Sequence, residues 1–248
     1  MNTPEPAADK EMLAALLRSS VVSLRELRGA SVLIGKPAAL RTRLRGWQAV
    51  RFQRTYADLM ASERYRPATE SFLSDLYGSK DFRARDEVLE RLLPVITKIL
   101  PASAVHTLGI GVELDLLSES LDAAMVRALL LAGQVADADI SESAYVRGYR
   151  NCDNRRERER QIALILQIGA AIDELTRKPL LRAAIALIKA PAHAAHMGEL
   201  HSFLDRGFMA FRHMQGAAEF LEIIRDRETR ILERLFAKHR APFDLDRE

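Results

Sequence analysis

Apolar residues recur every three or four positions along most of this chain, and no stretch alternates apolar and polar residues over the length of a strand. That period is the mark of amphipathic helices. Met12, Leu13, Leu16 and Leu17 open one helix, whose pattern fades near Gly29. A turn at Gly35-Lys36-Pro37 leads into a second, where Leu44, Phe52 and Leu59 keep one stripe and Gln48 and Thr55 interrupt it. Pro67 suits the first turn of a short third helix, where its missing N–H costs nothing. There Phe72–Leu76 and Leu73–Tyr77 are i,i+4 pairs, and Gly78 takes the capping position.

Further helices are predicted over residues 85–100 with a kink at Pro94, 101–122, and 123–135. Residues 134–143 are polar and acidic and read as a hinge. Beyond Asn154, Ile162, Ile165, Ile168, Ile172 and Leu175 line one side of a helix. Residues 180–189, 199–214 and 217–238 complete the set, the last with Leu221, Ile224, Ile231 and Leu235 in one seam. The expectation is an all-α, multi-helix bundle of about eight to ten helices. One domain over residues 10–240 accounts for the pattern, with sub-lobes 10–136 and 141–240 about the hinge and a flexible N-terminus over 1–9.

Composition narrows the class of protein. The chain has 248 residues, of which 48% are hydrophobic and 29% charged, a balance that supports a packed core. The single cysteine, Cys152, excludes an intrachain disulfide and a cysteine metal cluster, and it reads as a surface thiol with nearby arginines. Residues 1–6 lack the pattern of a secretory signal, and no apolar run approaches a membrane span, so a cytoplasmic setting and no transmembrane segment are expected.

One segment is distinctive. Ser71-Phe72-Leu73-Ser74-Asp75-Leu76-Tyr77-Gly78, followed by Lys80-Asp81-Phe82, resembles the signature of the bacterial FFLEELY-motif proteins. The similarity extends through Leu92-Leu93-Pro94, His106-Thr107-Leu108, Glu113-Leu114-Asp115 and Gly207-Phe208-Met209-Ala210-Phe211-Arg212, covering roughly residues 50–236. Ser71, Ser74 and Asp75 depart from the motif, so Asp75 is its one retained acid. The resemblance implies no known activity and assigns no catalytic residue. The motif's physical content is a capped helix with Phe72, Leu73, Leu76 and Tyr77 as inward anchors.

Three clusters are candidates for chemistry. In the helix after Pro101, Ile110, Leu114, Leu117 and Leu121 form one apolar arc and Val105, Val112 and Leu116 another. His106, Gly109, Glu113 and Ser120 fall between the arcs, so His106 and Glu113 are expected to be partly buried, with Gly109 open to a close helix approach. Asp115, Ser118 and Glu119 are expected on the wet side. An inward imidazole and carboxylate are ligand types of bundle metal centres, with Glu70, Tyr77 and His213 as contributors from other helices. Seven residues span about 10 Å of helix, too far for one ion without a second helix. The bland alternative is a Glu–Arg pair and a core histidine.

His193, His196 and Glu199 have a looser metal-like spacing, but Pro191 and Gly198 make this stretch read foremost as an ordinary helix junction with neutral histidines. The third cluster is basic. Residues 24–54 carry eight basic residues against one acid, and Arg41, Arg43, Arg45, Trp47, Arg51 and Arg54 are its candidates for an anionic partner such as nucleic acid or acidic lipid. These arginines scatter around the helix axis, and no nucleic-acid reader motif accompanies them. No Walker, nucleophile-elbow or His-Glu-x-x-His pattern is present, and the cofactor is left unassigned. The reading that follows is a helical interaction or scaffold protein without catalytic activity, with an unidentified protein as the favoured partner.

Overall fold

The computed structural model describes residues 6–30, 36–77, 93–94, 97–135, 138–178 and 198–246. Every regular element among them is a helix, as the apolar period requires: α1 Pro6–Ala30, α2 Lys36–Thr55, α3 Ala57–Ala61, α4 Arg66–Tyr77, α5 Ala102–Leu131, α6 Glu142–Asn151, α7 Arg155–Thr176, α8 Gly198–Met214 and α9 Ala218–Phe236. Pro67 lies in the first turn of α4. The predicted helix over 180–189 and the His193–His196 cluster lie outside the described residues, as do Gly78 and most of 85–100.

Helix α5 organises the rest. The two helices expected over 101–122 and 123–135 are one continuous helix, because no proline or glycine interrupts Leu121-Asp122-Ala123-Ala124. Its 30 residues span about 45 Å. Three apolar clusters are strung along it. Near its start, Ala104, Val105 and Val112 meet Leu17, Val21 and Leu24 of α1, whose i, i+4, i+7 spacing is one helix face. In the middle, Ile110 and Leu114 join Leu164 and Ile165 of α7 with Phe220, Leu221 and Ile224 of α9. Near its end, Met125, Val126 and Leu129 pack with Leu40 and Leu44 of α2, Tyr145 and Tyr149 of α6, and Ile231 and Leu235 of α9.

Local chemistry sets the junctions. The Ser141 hydroxyl accepts from the Ala144 amide at 3.2 Å and caps α6. The described residues 134, 135 and 138–141 of the polar stretch lie between α5 and α6, and residues 142–143 open α6. Gln134 ties the stretch, donating to the carbonyls of Val135, Ala138 and Asp139. Helices α7 and α9 approach closely at Gly169, where a Cβ would stand 2.4 Å from Leu221 Cδ2.

Candidate functional site

The inner side of α2 carries a polar seam. Leu40, Leu44, Gln48 and Phe52 recur at i, i+4, i+8 and i+12 and are all buried, and Arg41, Arg45 and Arg51 flank that line. The Arg41 and Arg45 guanidiniums both meet Glu119 of α5, Arg45 at 2.5 Å. Arg45 Nε also reaches Asp122 at 3.1 Å, and Gln48 donates to the same carboxylate at 3.3 Å. Arg51 grips Glu228 of α9 through two bonds of 2.6 and 3.2 Å, and the Tyr56 hydroxyl donates to Glu228 at 2.8 Å. Burial pulls the Arg51 guanidinium down, but Glu228 outweighs it and holds Arg51 above its ordinary range. On α7, buried Arg158 lies over the Tyr149 ring at 4.6 Å. Burial pushes the Tyr145 and Tyr149 hydroxyls above their usual value. The seam therefore joins α2 to α5 and α9 through paired charges.

The outer side of α2 borders a cleft of about 1090 Å³. Thr42, Arg43, Gly46, Trp47, Val50 and Arg54 form one wall, and Asp139, Ile140, Glu142 and Phe243 belong to the other. Trp47 stacks on Tyr145 with centroids 3.7 Å apart and meets Phe243 edge-on at 5.5 Å. Arg43 bridges the walls to Asp139 at 3.0 Å, an exposed pair that contributes little and opens easily. Val50 is 46% exposed, and Arg54 is exposed beyond it.

The sequence-predicted residues are therefore distributed differently from expectation. His106 and Glu113 are exposed, and Glu113 pairs with Arg160 of α7 at 2.6 Å. Positions 106, 113, 120 and 127 repeat every seven residues and form the exposed stripe of α5. The expectation that His106 and Glu113 are partly buried is overturned. So is the wet assignment of Glu119, which is 4% exposed between α5 and α2. Periodicity groups the residues of one helix face correctly but does not say which face its neighbours cover. Gly109 faces open space rather than a close neighbour. Glu70 is exposed on α4, and His213 Nε2 stands 3.2 Å from the Glu63 carbonyl. The Phe72, Leu73, Asp75, Leu76 and Tyr77 side chains lie outside the described residues, as does that of Glu199. Among the described residues no group of three or more His, Cys, Asp or Glu side chains converges to hold a metal ion.

Of the six basic-segment candidates, Arg41, Arg45 and Arg51 turn inward to carboxylates, while Arg43, Trp47 and Arg54 line the cleft with Arg51 at its edge. Cys152 is half-buried rather than a surface thiol, and burial raises its pKa more than Arg158 and Arg127 lower it. Sequence reasoning missed Asp122, Tyr145, Glu228 and Phe243, whose roles depend on contacts between distant segments. The one local signal was Gln48, a polar residue in an otherwise apolar line.

Fold and site together define an all-helical bundle, braced by an inner arginine–carboxylate seam and open to solvent along a mixed aromatic and charged cleft. No helix among the described residues is long and apolar enough to cross a membrane. The chain belongs to the DUF8198 family, a domain of unknown function whose model matches residues 35–242. The match takes in α2 and both sides of the inner seam. No curated relative and no solved structure matches the chain.

Proposed function

We propose that this chain acts by docking a partner rather than by catalysis, and that the docking face is the cleft along α2. In this reading it is a single helical domain over residues 10–240 in a cytoplasmic setting, and residues 71–78 are the FFLEELY signature of a bacterial protein. The observation that carries the reading is how the charged groups are used. Glu119, Asp122 and Glu228 each meet a guanidinium within the bundle, and Glu113 meets Arg160 on its surface. Such pairing supports a structural role for these carboxylates. The cleft instead combines Trp47, Val50 and Phe243 with Arg43, Arg54 and Glu142 on one accessible surface, the mixture typical of docking faces.

Photo-crosslinking in cells tests this. A photoreactive residue at Val50 is expected to give a discrete adduct that the same residue at exposed Ala170 of α7 does not. The captured partner, once purified, should bind the purified chain and shift Trp47 emission. Equal adducts at both positions, or none, would overturn the docking face. Turnover of a substrate by the purified chain would overturn the non-catalytic reading.

A further inference from the structure

Opposite the buried line of α2 runs an open one. Thr42, Gly46, Val50 and Arg54 follow at intervals of four, all are exposed, and all line the cleft. The row begins at Thr42 beside an acidic stretch of the far wall. There the Asp139 side chain is 99% exposed against Arg43, and Glu142 opens α6. The row ends on Arg54, in the last turn of α2. Among the described residues neither Arg54 nor Glu142 has an ion-pair partner. The middle of the row is Gly46 and Val50. A glycine within a helix is destabilising relative to alanine. A Cβ at Gly46 would meet nothing within 4 Å, so packing inside the chain gives no reason for its presence. Val50, one turn on, is 46% exposed.

These positions make the row complementary to itself. A two-fold axis passing between Gly46 and Val50 sets the row of a second copy antiparallel to the first. Gly46 of each copy then faces Val50 of the other, and the absent side chain admits the valine. Thr42 faces Arg54, because each lies six positions, about 9 Å of helix, from the midpoint of the row. Each Arg54 guanidinium is thereby carried to Asp139 and Glu142 of the other copy, and the contact is made twice by symmetry. A parallel pairing would instead set Arg54 beside Arg54 and leave both acidic walls unmet. An unrelated partner would have to supply an acid, a small apolar pair and a base at this spacing, whereas a second copy carries them already.

We infer that the cleft along α2 receives α2 of a second copy, and that this chain forms a two-fold dimer through the row from Thr42 to Arg54. The inference rests on the reading of the α2 cleft as the docking face and names the partner that face takes. Both copies keep the fold described above, and no segment of either leaves its place.

Sedimentation velocity of the purified full chain over a range of concentrations tests this. The wild-type chain is expected to show a monomer–dimer equilibrium. Arg54→Glu and Glu142→Arg should each weaken the dimer by at least about tenfold, because symmetry places the new repulsion in the interface twice. Mixed in equal amounts, the two variants should dimerise again, since both contacts of the mixed dimer join opposite charges. Recovery on mixing is a result that a misfolded variant cannot give. Gly46→Leu fills space that the folded chain leaves open, so it should block the dimer and leave the thermal melt unchanged. A wild-type chain that stays monomeric at about 100 μM would overturn the dimer. So would a dimer that both charge reversals and Gly46→Leu leave intact, or single variants that fail to recover on mixing. The photoreactive residue at Val50 should give an adduct of twice the chain mass. If that adduct instead holds a different protein and the purified chain is monomeric, the dimer falls and the docking face stands. If no adduct forms, the docking face itself falls.

Discussion

Glu119→Gln and Glu113→Gln remove the same charge from the same helix, six residues apart, and should have very different consequences. The Glu119 side chain is 3% exposed and accepts both Arg41 and Arg45, which are themselves 16% and 21% exposed. Removing one partner of a buried pair strands the other charge and costs about 3–5 kcal/mol. The guanidiniums keep some solvent, and Arg45 keeps Asp122 at 3.1 Å, so the lower end, about 3 kcal/mol, is expected. Glu113 and Arg160 are 50% and 52% exposed, and an exposed pair contributes at most about 0.5 kcal/mol. Urea unfolding followed by helical circular dichroism separates the two. With a denaturant slope of about 3 kcal/mol/M, Glu119→Gln should lower the midpoint by about 1 M and Glu113→Gln by less than about 0.2 M. Added salt should erase the Glu113 effect and largely spare that of Glu119. Equal midpoint shifts, or a larger one for Glu113, would refute the assignment of the covered and open faces of α5.

Gly169→Ala should destabilise by about 1–3 kcal/mol, since its Cβ meets Leu221 Cδ2 at 2.4 Å in the α7–α9 contact. Gly111→Ala, with open space around it in α5, should be neutral or stabilising by up to about 1 kcal/mol, and thermal melts of the two variants compare them. Because burial raises the Cys152 pKa, the folded chain should react with a thiol reagent at pH 8 more slowly than the urea-unfolded chain. The same shift favours folding while the thiol is neutral. Its contribution is complete below the unfolded thiol pKa and is lost as pH rises through the raised folded value, so the gap in reactivity should close at higher pH. Faster reaction of the folded chain at pH 8 would show that arginine attraction outweighs burial.

Much of the fold was legible because helical periodicity is a local property. The Leu221, Ile224, Ile231 and Leu235 seam of α9 is buried as its spacing predicts, and the described residues 134, 135 and 138–141 of the polar stretch lie between α5 and α6. The candidate chemistry was less legible. The apolar arcs on α5 were correctly grouped, yet the gap between them at His106 and Glu113 faces solvent while Glu119 is enclosed. The arginines of residues 41–51 were visible as charge, but their carboxylate partners lie 74 to 177 residues away in the chain. A charge run has the same composition whether it meets solvent or a buried acid.

The sequence alone therefore determined that this protein is built of helices, roughly where they run and which residues share a side, because backbone hydrogen bonding and side-chain period act over a few residues. Only the tertiary structure decided which side of α5 is covered, which arginines are spent on internal pairs, and that Trp47, Tyr145 and Phe243 meet. Those outcomes depend on how distant helices pack, where burial turns a mobile surface charge into one that needs a partner.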